Sequence, residues 1–245
     1  MNLSWIIPTY NEEEKIEKTI RRVDAYLKSK NFPEGYEIIV VDSSSPDKTA
    51  QIVKNLQSEI LALKFISVIN KGKGWGVKQG MLVALGKIRA FSDADNSVSP
   101  EQAEKFIPLV CHDSPSSCFD IVIGSIEVPG AVIKEHAQWY RRLLGKFAKY
   151  VIRAVSGLWK IHDSQRGFKF FSKAAAEAIF PKQTLTGWGF DFEVLLIGKR
   201  KGFKIKEIPV VWINPSGSKV GLSAYFTTLV ELFTIKLNDI RGFYK

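Results

Sequence analysis

Short apolar runs alternate with longer amphipathic segments through the first half of the chain. The longer segments place apolar side chains three or four residues apart, as in Ile16, Ile20 and Val23, which is the spacing of one helix face. Strands that alternate with helices indicate a mainly parallel sheet that helices cover on both faces. The predicted strands are residues 3–8, 37–42, 65–70, 88–93 and 119–124, and the predicted helices are residues 12–28, 47–61, 74–85 and 100–110.

The second half has a less regular order of elements. We predict strands at residues 168–171 and 204–212, and helices at residues 139–155, 173–180 and 190–201. A last amphipathic helix is predicted from Leu222 onward, and we expect one α/β domain at residues 1–220 followed by this segment at residues 221–245. Its expected apolar stripe consists of Leu222, Tyr225, Phe226, Leu229, Leu232, Phe233, Leu237 and Ile240.

The composition is that of a globular chain rather than a disordered or membrane-spanning one. Of the 245 residues 45% are hydrophobic, and the 18 glycines and 10 prolines form no repeat. The most apolar long segment, residues 222–240, contains Glu231, Lys236 and Asp239, so it is too polar to span a bilayer. Residues 1–8 contain no positively charged side chain and fit a strand, so we expect no secretory signal in them.

The chain contains two cysteines, Cys111 and Cys118, on either side of a loop with Ser and Pro. Their spacing matches no metal-binding pattern. We therefore expect both thiols to be reduced and to have no role in function.

The formal net charge of +10 is unevenly distributed along the chain. Residues 1–125 contain 15 basic and 16 acidic residues, whereas residues 126–245 contain 20 basic and 9 acidic ones. Ten of the basic residues fall within residues 134–173, against two acidic residues there. Such a basic segment is typical of a surface that meets phosphate in nucleic acid, lipid headgroups or a small molecule. The alternative is a solvated basic surface without a partner.

Polar residues follow three of the predicted strands. They lie at residues 8–12 after the first strand, at residues 42–45 after the second and at residues 93–95 after the fourth. Because ligands bind beyond the carboxyl ends of parallel strands, these three segments predict one binding site at that edge of the sheet.

Two of the segments between elements suit anion and metal chemistry. Asp93 and Asp95 can both turn toward one divalent cation, since Mg²⁺ binds through one or two carboxylates plus substrate phosphates. Residues 70–76 combine glycines with Lys71 and Lys73 ahead of a helix, which lets the backbone approach an anion. Each segment also fits an ordinary solvated turn.

In sequence order, these motifs resemble a family-2 glycosyltransferase with the GT-A fold, in particular the dolichyl-phosphate mannose and dolichyl-phosphate glucose synthase branch. The resemblance covers residues 7–220. It rests on the following segments, each weak alone: Pro8-Thr9-Tyr10-Asn11-Glu12, Val40-Val41-Asp42-Ser43-Ser44-Ser45-Pro46-Asp47-Lys48-Thr49, Asn70 to Gly76, Asp93-Ala94-Asp95, Asp120 to Ser125, Tyr140 to Leu144, Asp163 to Lys169 and Gly187 to Glu193.

The resemblance implies a role for each matched residue. It implies a mainly parallel nucleotide-binding α/β sheet flanked by helices and a Mg²⁺ or Mn²⁺ ion on Asp93 and Asp95. Asp191 is a further candidate for the catalytic centre that these two residues form. The nucleotide sugar would be bound by Pro8, Tyr10, Glu12, Asp42, Lys73 and Asp93. The phosphate of a polyprenyl acceptor would be bound by Lys134, Arg141, Arg142, Arg166 and Lys169.

The chain departs from the family pattern at several positions. Ile126 stands where an Arg usually follows Gly-Ser, so another cation, such as Lys134, Arg141 or Arg142, would have to replace it. Ser97 stands where a Gln often joins the metal ligands. Ser43 and Ser44 replace the second Asp and the Gly of the Asp-Asp-Gly-Ser segment.

Three further features leave alternatives open. Asp191 and Glu193 diverge by about 200° on a helix, so only one can face a substrate, and Asp191 is either that residue or a helix cap. Trp188 fits either core packing or contact with the acceptor. The segment from Leu222 fits either a helix packed on its own domain or a helix at a membrane interface.

The expected function is inverting, metal-dependent transfer of a hexose from UDP-glucose or GDP-mannose to a polyprenyl (dolichyl) phosphate. A phosphate monoester is largely anionic at neutral pH, since its second pKa is about 6, and needs no protein base. We expect a peripheral location on the cytoplasmic face of a membrane and no nucleic-acid partner. The alternatives are a family-2 enzyme that acts on a glycan hydroxyl, with Asp191 or Asp163 as base, and a non-catalytic protein that binds nucleic acid or membranes.

Overall fold

The computed structural model describes residues 1–111, 118–134, 152–213 and 222–244. In the last of these ranges, side chains are described at Thr227 and from Val230 onward. The expected helix at residues 139–155 lies largely outside the described residues, as do Arg141 and Arg142.

A seven-stranded sheet forms the centre of the protein, with the strand order β3-β2-β1-β4-β7-β5-β8. A second sheet pairs β6 with β9. The strands are β1 (Leu3–Thr9), β2 (Tyr36–Asp42), β3 (Leu63–Ser67), β4 (Ile88–Ser92), β5 (Ile121–Ser125), β6 (Val132–Ile133), β7 (Phe168–Ser172), β8 (Ile205–Pro209) and β9 (Val211–Trp212). The described helices are α1 (Ile16–Lys28), α2 (Thr49–Gln57), α3 (Lys73–Val83), α4 (Lys173–Ile179), α5 (Phe190–Arg200) and α6 (Leu222–Ile240).

The large sheet is mainly parallel, as the alternation of elements predicts. Strand β7 is its antiparallel member and lies between β4 and β5. In β1 and β2, Thr9 pairs with Asp42, so the two strands end side by side. The polar residues that follow these strands therefore meet at one edge of the sheet.

Both faces of the sheet are buried. Along β1 and β2 the side chains alternate between two clusters, with Ile6 and Ile39 on one face and Trp5 and Ile38 on the other. This alternation is the two-residue period of a strand. It explains why the sequence of a central strand is apolar at nearly every position rather than at every second one.

Residues 100–110 do not form the expected α-helix. They form two 3₁₀ helices instead, Pro100–Lys105 and Ile107–Leu109. Pro108 has no N–H to donate to Glu104 and disfavours helical geometry at Ile107, so an α-helix cannot pass through this point.

The expectation of two reduced cysteines is wrong in this structure, where Cys111 and Cys118 form a disulfide. A bridge between Val110 and Phe119 brings the two flanks of the loop together. It sets the Cα atoms of the cysteines 5.0 Å apart, within the range that a disulfide spans. The sequence spacing alone gave no sign of this pairing.

The helix expected from Leu222 is present as α6, but the stripe assigned to it is only partly correct. Leu232 and Ile235 are buried in the core. Phe233, Leu237 and Ile240 are exposed, together with Val230. Among the described helices, none has the length and apolar character needed to cross a membrane. Whether residues 1–220 and 221–245 are separate units stays a prediction.

Candidate active site

Three loops at the carboxyl edge of the sheet build the site. Each contains a non-glycine residue with left-handed backbone: Asn11 after β1, Ser44 after β2 and Asn96 after β4. Such residues turn the chain sharply away from a strand. The first two loops are tied together, because the Asn11 N–H donates to Ser45 Oγ at 3.0 Å.

Asp42 stabilises the corner between β1 and β2. Its carboxylate is buried and accepts hydrogen bonds from the Ser45 N–H at 3.0 Å and the Thr9 hydroxyl at 3.2 Å. The neighbouring Tyr10 is exposed, and the Glu12 N–H donates to Thr49 Oγ1 at 2.9 Å. The predicted nucleotide-binding residues of this corner thus lie close together: Pro8 and Asp42 at the ends of β1 and β2, and Tyr10 and Glu12 in the loop after β1.

Lys73 lies beside the Asp-x-Asp loop. Its ammonium is 2.5 Å from Asp93 Oδ1 and 5.3 Å from the centre of the Trp188 ring. Burial opposes charge on Lys73, but the carboxylates of Asp93, Asp191 and Asp95 outweigh it and raise the pKa of the lysine. Lys73 is therefore a fixed cation at the start of α3, where the free N–H groups of the helix also favour an anion.

Asp93 and Asp95 are both partly exposed. The Asp93 N–H donates to the Gly167 carbonyl at 3.1 Å, and a Cβ atom at Gly167 would lie 2.3 Å from Asp93 Oδ2. Glycine is thus required at position 167 for β7 to approach this carboxylate. Asp95 Oδ1 accepts the Ser97 N–H at 2.9 Å, which leaves its other oxygen available.

A buried ion pair lies behind these two carboxylates. Lys169 donates to Asp191 and to the Arg166 carbonyl, and both charged side chains are almost fully buried. Burial lowers the pKa of Lys169 and raises the pKa of Asp191, while the attraction between the two groups opposes both shifts. The predicted phosphate ligand Lys169 therefore points at a carboxylate inside the protein rather than at solvent.

Arg166 adjoins Gly167, whose carbonyl accepts the Asp93 N–H. Its Nε is 3.1 Å from Asp163 Oδ2, and its guanidinium lies 4.9 Å from the ring centre of Trp212. The same Asp163 oxygen accepts the Ile126 N–H at 3.2 Å. The cation thus lies beside the position where the family pattern has its missing Arg.

Lys134 directly follows β6 of the small sheet and also lies next to Trp212. Its N–H donates to the Trp212 carbonyl at 3.0 Å, and its side chain is exposed. The Ile213 N–H donates to the Ser97 carbonyl at 2.9 Å, which ties β9 to the Asp-x-Asp loop. Lys134 and Arg166 therefore lie next to the same tryptophan, close to Asp95.

The donor set fits a divalent metal. Asp93 and Asp95 offer hard oxygen ligands on one loop, which is sufficient for Mg²⁺ or Mn²⁺ when substrate phosphates complete the coordination. In the described ranges, no group of three or more His, Cys, Asp or Glu side chains is arranged for a metal. Asp93 and Asp95 are thus the carboxylates that we expect this loop to contribute to such a site.

Sequence reasoning missed two contributors to the site. Trp212 is the aromatic platform next to Arg166, and nothing in its sequence context distinguishes it from a core tryptophan. Glu231, in α6, accepts the Gly189 N–H at 2.8 Å and so reaches the loop that contains Trp188. The divergence expected for Asp191 and Glu193 is observed, because Glu193 accepts hydrogen bonds from Thr184, Leu185 and Tyr244 instead.

A family model described as glycosyl transferase family 2 matches residues 4–180. Among curated proteins, the dolichyl-phosphate beta-glucosyltransferase of Saccharomyces cerevisiae is 32% identical over 99% of this chain and 76% of its own length. The dolichol-phosphate mannosyltransferase of Pyrococcus furiosus is 34% identical over 85% of this chain and 56% of its own length.

Solved structures share the fold. Glucosyl-3-phosphoglycerate synthase from Mycobacterium tuberculosis, in a complex with Mn²⁺ and UDP, superposes with a TM-score of 0.67 at 17% identity, over 96% of this chain and 79% of its own. A mannosyltransferase from Pyrobaculum calidifontis with GDP-Man and Mn²⁺ gives a TM-score of 0.61 at 20% identity, over 98% and 64%. At these identities the likeness establishes the α/β GT-A fold alone.

Proposed function

The chain belongs to glycosyl transferase family 2, and on that premise we propose that it transfers a hexose from a nucleotide diphosphate sugar to a polyprenyl phosphate, with inversion at the anomeric carbon. The observation that supports this most is that two cations lie beside one Asp-x-Asp loop. Lys73 Nζ contacts Asp93 Oδ1, and Arg166 lies over the Trp212 ring and adjoins Gly167, whose carbonyl accepts the Asp93 N–H. Each of the two cations would bind one of the two substrate anions.

The donor would bind on the Lys73 side. Glu12, Asp42 and Tyr10 line the corner between β1 and β2 where a nucleoside fits, and the start of α3 offers N–H groups to a diphosphate. A Mg²⁺ or Mn²⁺ ion on Asp93 and Asp95 would neutralise the charge that develops on the departing diphosphate. UDP-glucose and GDP-mannose are the proposed donors, and the printed names of the two relatives support a glucosyl or mannosyl group.

The acceptor phosphate would bind on the Arg166 side. Arg166 is proposed as the cation that replaces the Arg absent at Ile126, with Lys134 beside it. A guanidinium that is stacked on an aromatic ring suits phosphate, because its planar donors are already oriented. The predicted ligands Arg141 and Arg142 stay proposals of the sequence alone.

The chemistry does not require a general base. A phosphate monoester is largely ionised at neutral pH, so it can attack the anomeric carbon directly. The protein then needs to orient two anions and exclude water. We propose that Lys169 positions Asp191 behind the Asp-x-Asp loop, where Asp191 helps to hold Lys73 on the donor side.

The proposed partner surface is a membrane, and the proposed location is its cytoplasmic face. Val230, Phe233, Leu237 and Ile240 form an exposed apolar row on α6, with Lys236 and Arg241 exposed on its two sides. Apolar residues flanked by cations are typical of a helix that lies in an anionic interface. Thiols in that compartment are kept reduced, whereas Cys111 and Cys118 are bridged in this structure, so the proposed location requires that alkylation in intact cells find both cysteines reactive.

The experiment that tests this function is transfer of a labelled hexose. Purified protein is incubated with Mg²⁺ or Mn²⁺, UDP-glucose or GDP-mannose, and polyprenyl phosphate, and labelled lipid is extracted. Asp95→Asn should remove transfer without unfolding the protein, whereas the control Glu104→Gln, at an exposed surface ion pair, should retain it. A folded protein that labels no lipid with any common sugar nucleotide would refute the proposal.

A second candidate is transfer to a glycan hydroxyl. A hydroxyl acceptor needs a general base, and both proposed bases, Asp191 and Asp163, are buried and paired with Lys169 and Arg166, so the structure supports this candidate less. The same assay separates the two, because this candidate requires labelling of soluble glycans in the absence of lipid phosphate. The alternative of a non-catalytic binding protein is set aside by the chain's membership of an enzyme family.

A further inference from the structure

We infer that Glu231 is a positioning residue, which holds Trp188 beside the sugar-diphosphate part of the site and so makes donor binding depend on α6. This inference rests on the proposed function and extends it to a residue outside every motif of the sequence. Glu231 lies in the middle of α6, about forty residues along the chain from the loop that it contacts.

The loop that contains Trp188 is packed against the start of α3. The Trp75 N–H donates to the Thr186 carbonyl at 3.1 Å, and a Cβ atom at Gly72 would lie 2.6 Å from the same oxygen. Trp188 itself is 39% exposed, and its ring is 5.3 Å from the Lys73 ammonium. Because Lys73 contacts Asp93, the position of the Trp188 ring determines the shape of the donor side.

Glu231 holds this loop from the other side. Its Oε2 accepts the Gly189 N–H at 2.8 Å, and the nearby Gly187 backbone also acts to lower the pKa of the carboxylate. A Cβ atom at Gly187 would lie 2.2 Å from Glu231 Oε1, and one at Gly189 would lie 2.8 Å from Oε2. The two glycines that flank Trp188 thus leave room for one carboxylate close to the backbone on both sides of the ring.

The carboxylate is retained at a cost to stability. Burial raises the pKa of Glu231, and the nearby Glu193 raises it further, while the backbone groups of Gly189 and Gly187 oppose this. Among the described residues, no cation forms an ion pair with it. A half-buried carboxylate without a counter-ion is unfavourable, and its hydrogen bonds go entirely to the loop that positions Trp188.

The experiment measures binding of UDP and GDP, each with Mn²⁺, by titration calorimetry, with no acceptor present. Glu231→Ala should weaken binding of the nucleotide that the wild type binds by about tenfold, the loss expected when one hydrogen bond to a charged group no longer holds the Trp188 loop. Glu231→Gln keeps one oxygen for the Gly189 N–H and should restore most of the affinity. The control Asp239→Asn removes an ion pair with Arg200 from the same helix and should leave nucleotide binding unchanged.

A double-mutant cycle distinguishes positioning from general damage to α6. If Glu231 acts through Trp188, then Trp188→Ala should weaken binding as much as Glu231→Ala, and the double variant should be no weaker than either. Additive losses, or equal losses for Asp239→Asn and Glu231→Ala, would overturn the inference. Failure of the wild type to bind either nucleotide would overturn the proposed function instead, so the two failures are distinct.

Discussion

Lys169 shows how a residue's neighbours alter the role that its sequence suggests. It lies in the basic segment of residues 134–173, which predicts contact with the acceptor phosphate, yet its ammonium is buried against Asp191. The sequence could not reveal this, because position 169 faces the interior only once β7 is paired between β4 and β5. The carboxylate partner lies in another element, 22 residues further along the chain.

Removal of one charge of the pair of Lys169 and Asp191 should destabilise the protein more than removal of both charges. Asp191→Asn leaves Lys169 buried without a counter-ion and should lower the free energy of unfolding by about 3–5 kcal/mol. The double variant Lys169→Met with Asp191→Asn should recover most of that loss in urea unfolding, while hexose transfer stays absent. Asp239→Asn, which removes the more exposed ion pair with Arg200, should lower the free energy of unfolding by less than about 1 kcal/mol. Equal stability of the single and double variants would contradict this account.

Ser44 has backbone strain where the family pattern has glycine. Its φ is 54°, in the left-handed region, and its hydroxyl donates to the Val68 carbonyl at 2.8 Å. Ser44→Gly and Ser44→Ala lose the same hydrogen bond, but only the glycine variant relieves the strain. Ser44→Gly should therefore be more stable than Ser44→Ala by about 1 kcal/mol in urea unfolding. Similar stabilities would mean that the loop is not strained at this position.

At the scale of elements, the sequence predicts most of the parallel strands and the helices between them, because these rest on local periodicity. The exceptions have nonlocal or covalent causes. Pro108 divides one expected helix, and Cys111 and Cys118 are joined through a loop whose ends meet by tertiary pairing. The α6 stripe is misplaced because packing selects Ile235 for the core in preference to Phe233.

Glu37 connects three elements and should make their stability depend on pH. Its buried carboxylate accepts hydrogen bonds from Ser4 Oγ in β1 and the Leu85 N–H at 2.7 Å, and its Oε2 is 2.6 Å from Lys64 Nζ. Burial acts to raise the pKa of Glu37, but Lys64, Ser4 and Leu85 together outweigh it and lower the pKa below the usual value. A carboxylate whose pKa is lowered by folding stabilises the folded state at pH values above the ordinary carboxyl pKa. That stabilisation is lost as the pH falls through the folded-state pKa.

The variant Glu37→Gln isolates this contribution. At neutral pH it should unfold more easily than the wild type by about 1–3 kcal/mol, because charged hydrogen bonds are replaced by weaker ones. The difference should shrink as the pH falls below about 4.3, where the carboxylate of the unfolded chain becomes protonated, and vanish once the pH is below the lowered folded-state pKa. Urea unfolding across this range is the measurement, and a difference that stays constant with pH would contradict the assigned charge state.

At the scale of the whole molecule, the net charge of +10 does not describe a uniformly basic surface. Several cations of the C-terminal half pair with carboxylates: Lys169 with Asp191, Arg200 with Asp239, and Arg166 with Asp163. Next to Trp212, the exposed Lys134 and the remaining guanidinium donors of Arg166 are the cations proposed for the acceptor. The sequence predicted the segregation of charge but not which residues the fold would neutralise, since that depends on pairing between elements.

The apolar row of α6 should control binding to vesicles. Phe233→Glu with Leu237→Glu should reduce binding to anionic vesicles by at least about tenfold, since each buried apolar side chain contributes about 1.5–3 kcal/mol. The matched control Leu61→Glu changes an equally apolar and fully exposed side chain before β3, away from the site. Sedimentation with vesicles is the measurement. Loss of binding in the control alone, or in neither variant, would refute the assigned surface.

The central position of β7 has a consequence for the order in which the protein can assemble. Because Ile88 pairs with Ser172, β4 keeps an open edge until the whole basic segment has left the ribosome, a delay on the order of ten seconds at typical rates of synthesis. The sheet of β1 to β4, with its nucleotide corner, can form before this, whereas the pair of Lys169 and Asp191 cannot. A chain that stalls in that interval exposes an unpaired strand edge, so chaperone capture or aggregation of the nascent protein should concentrate there.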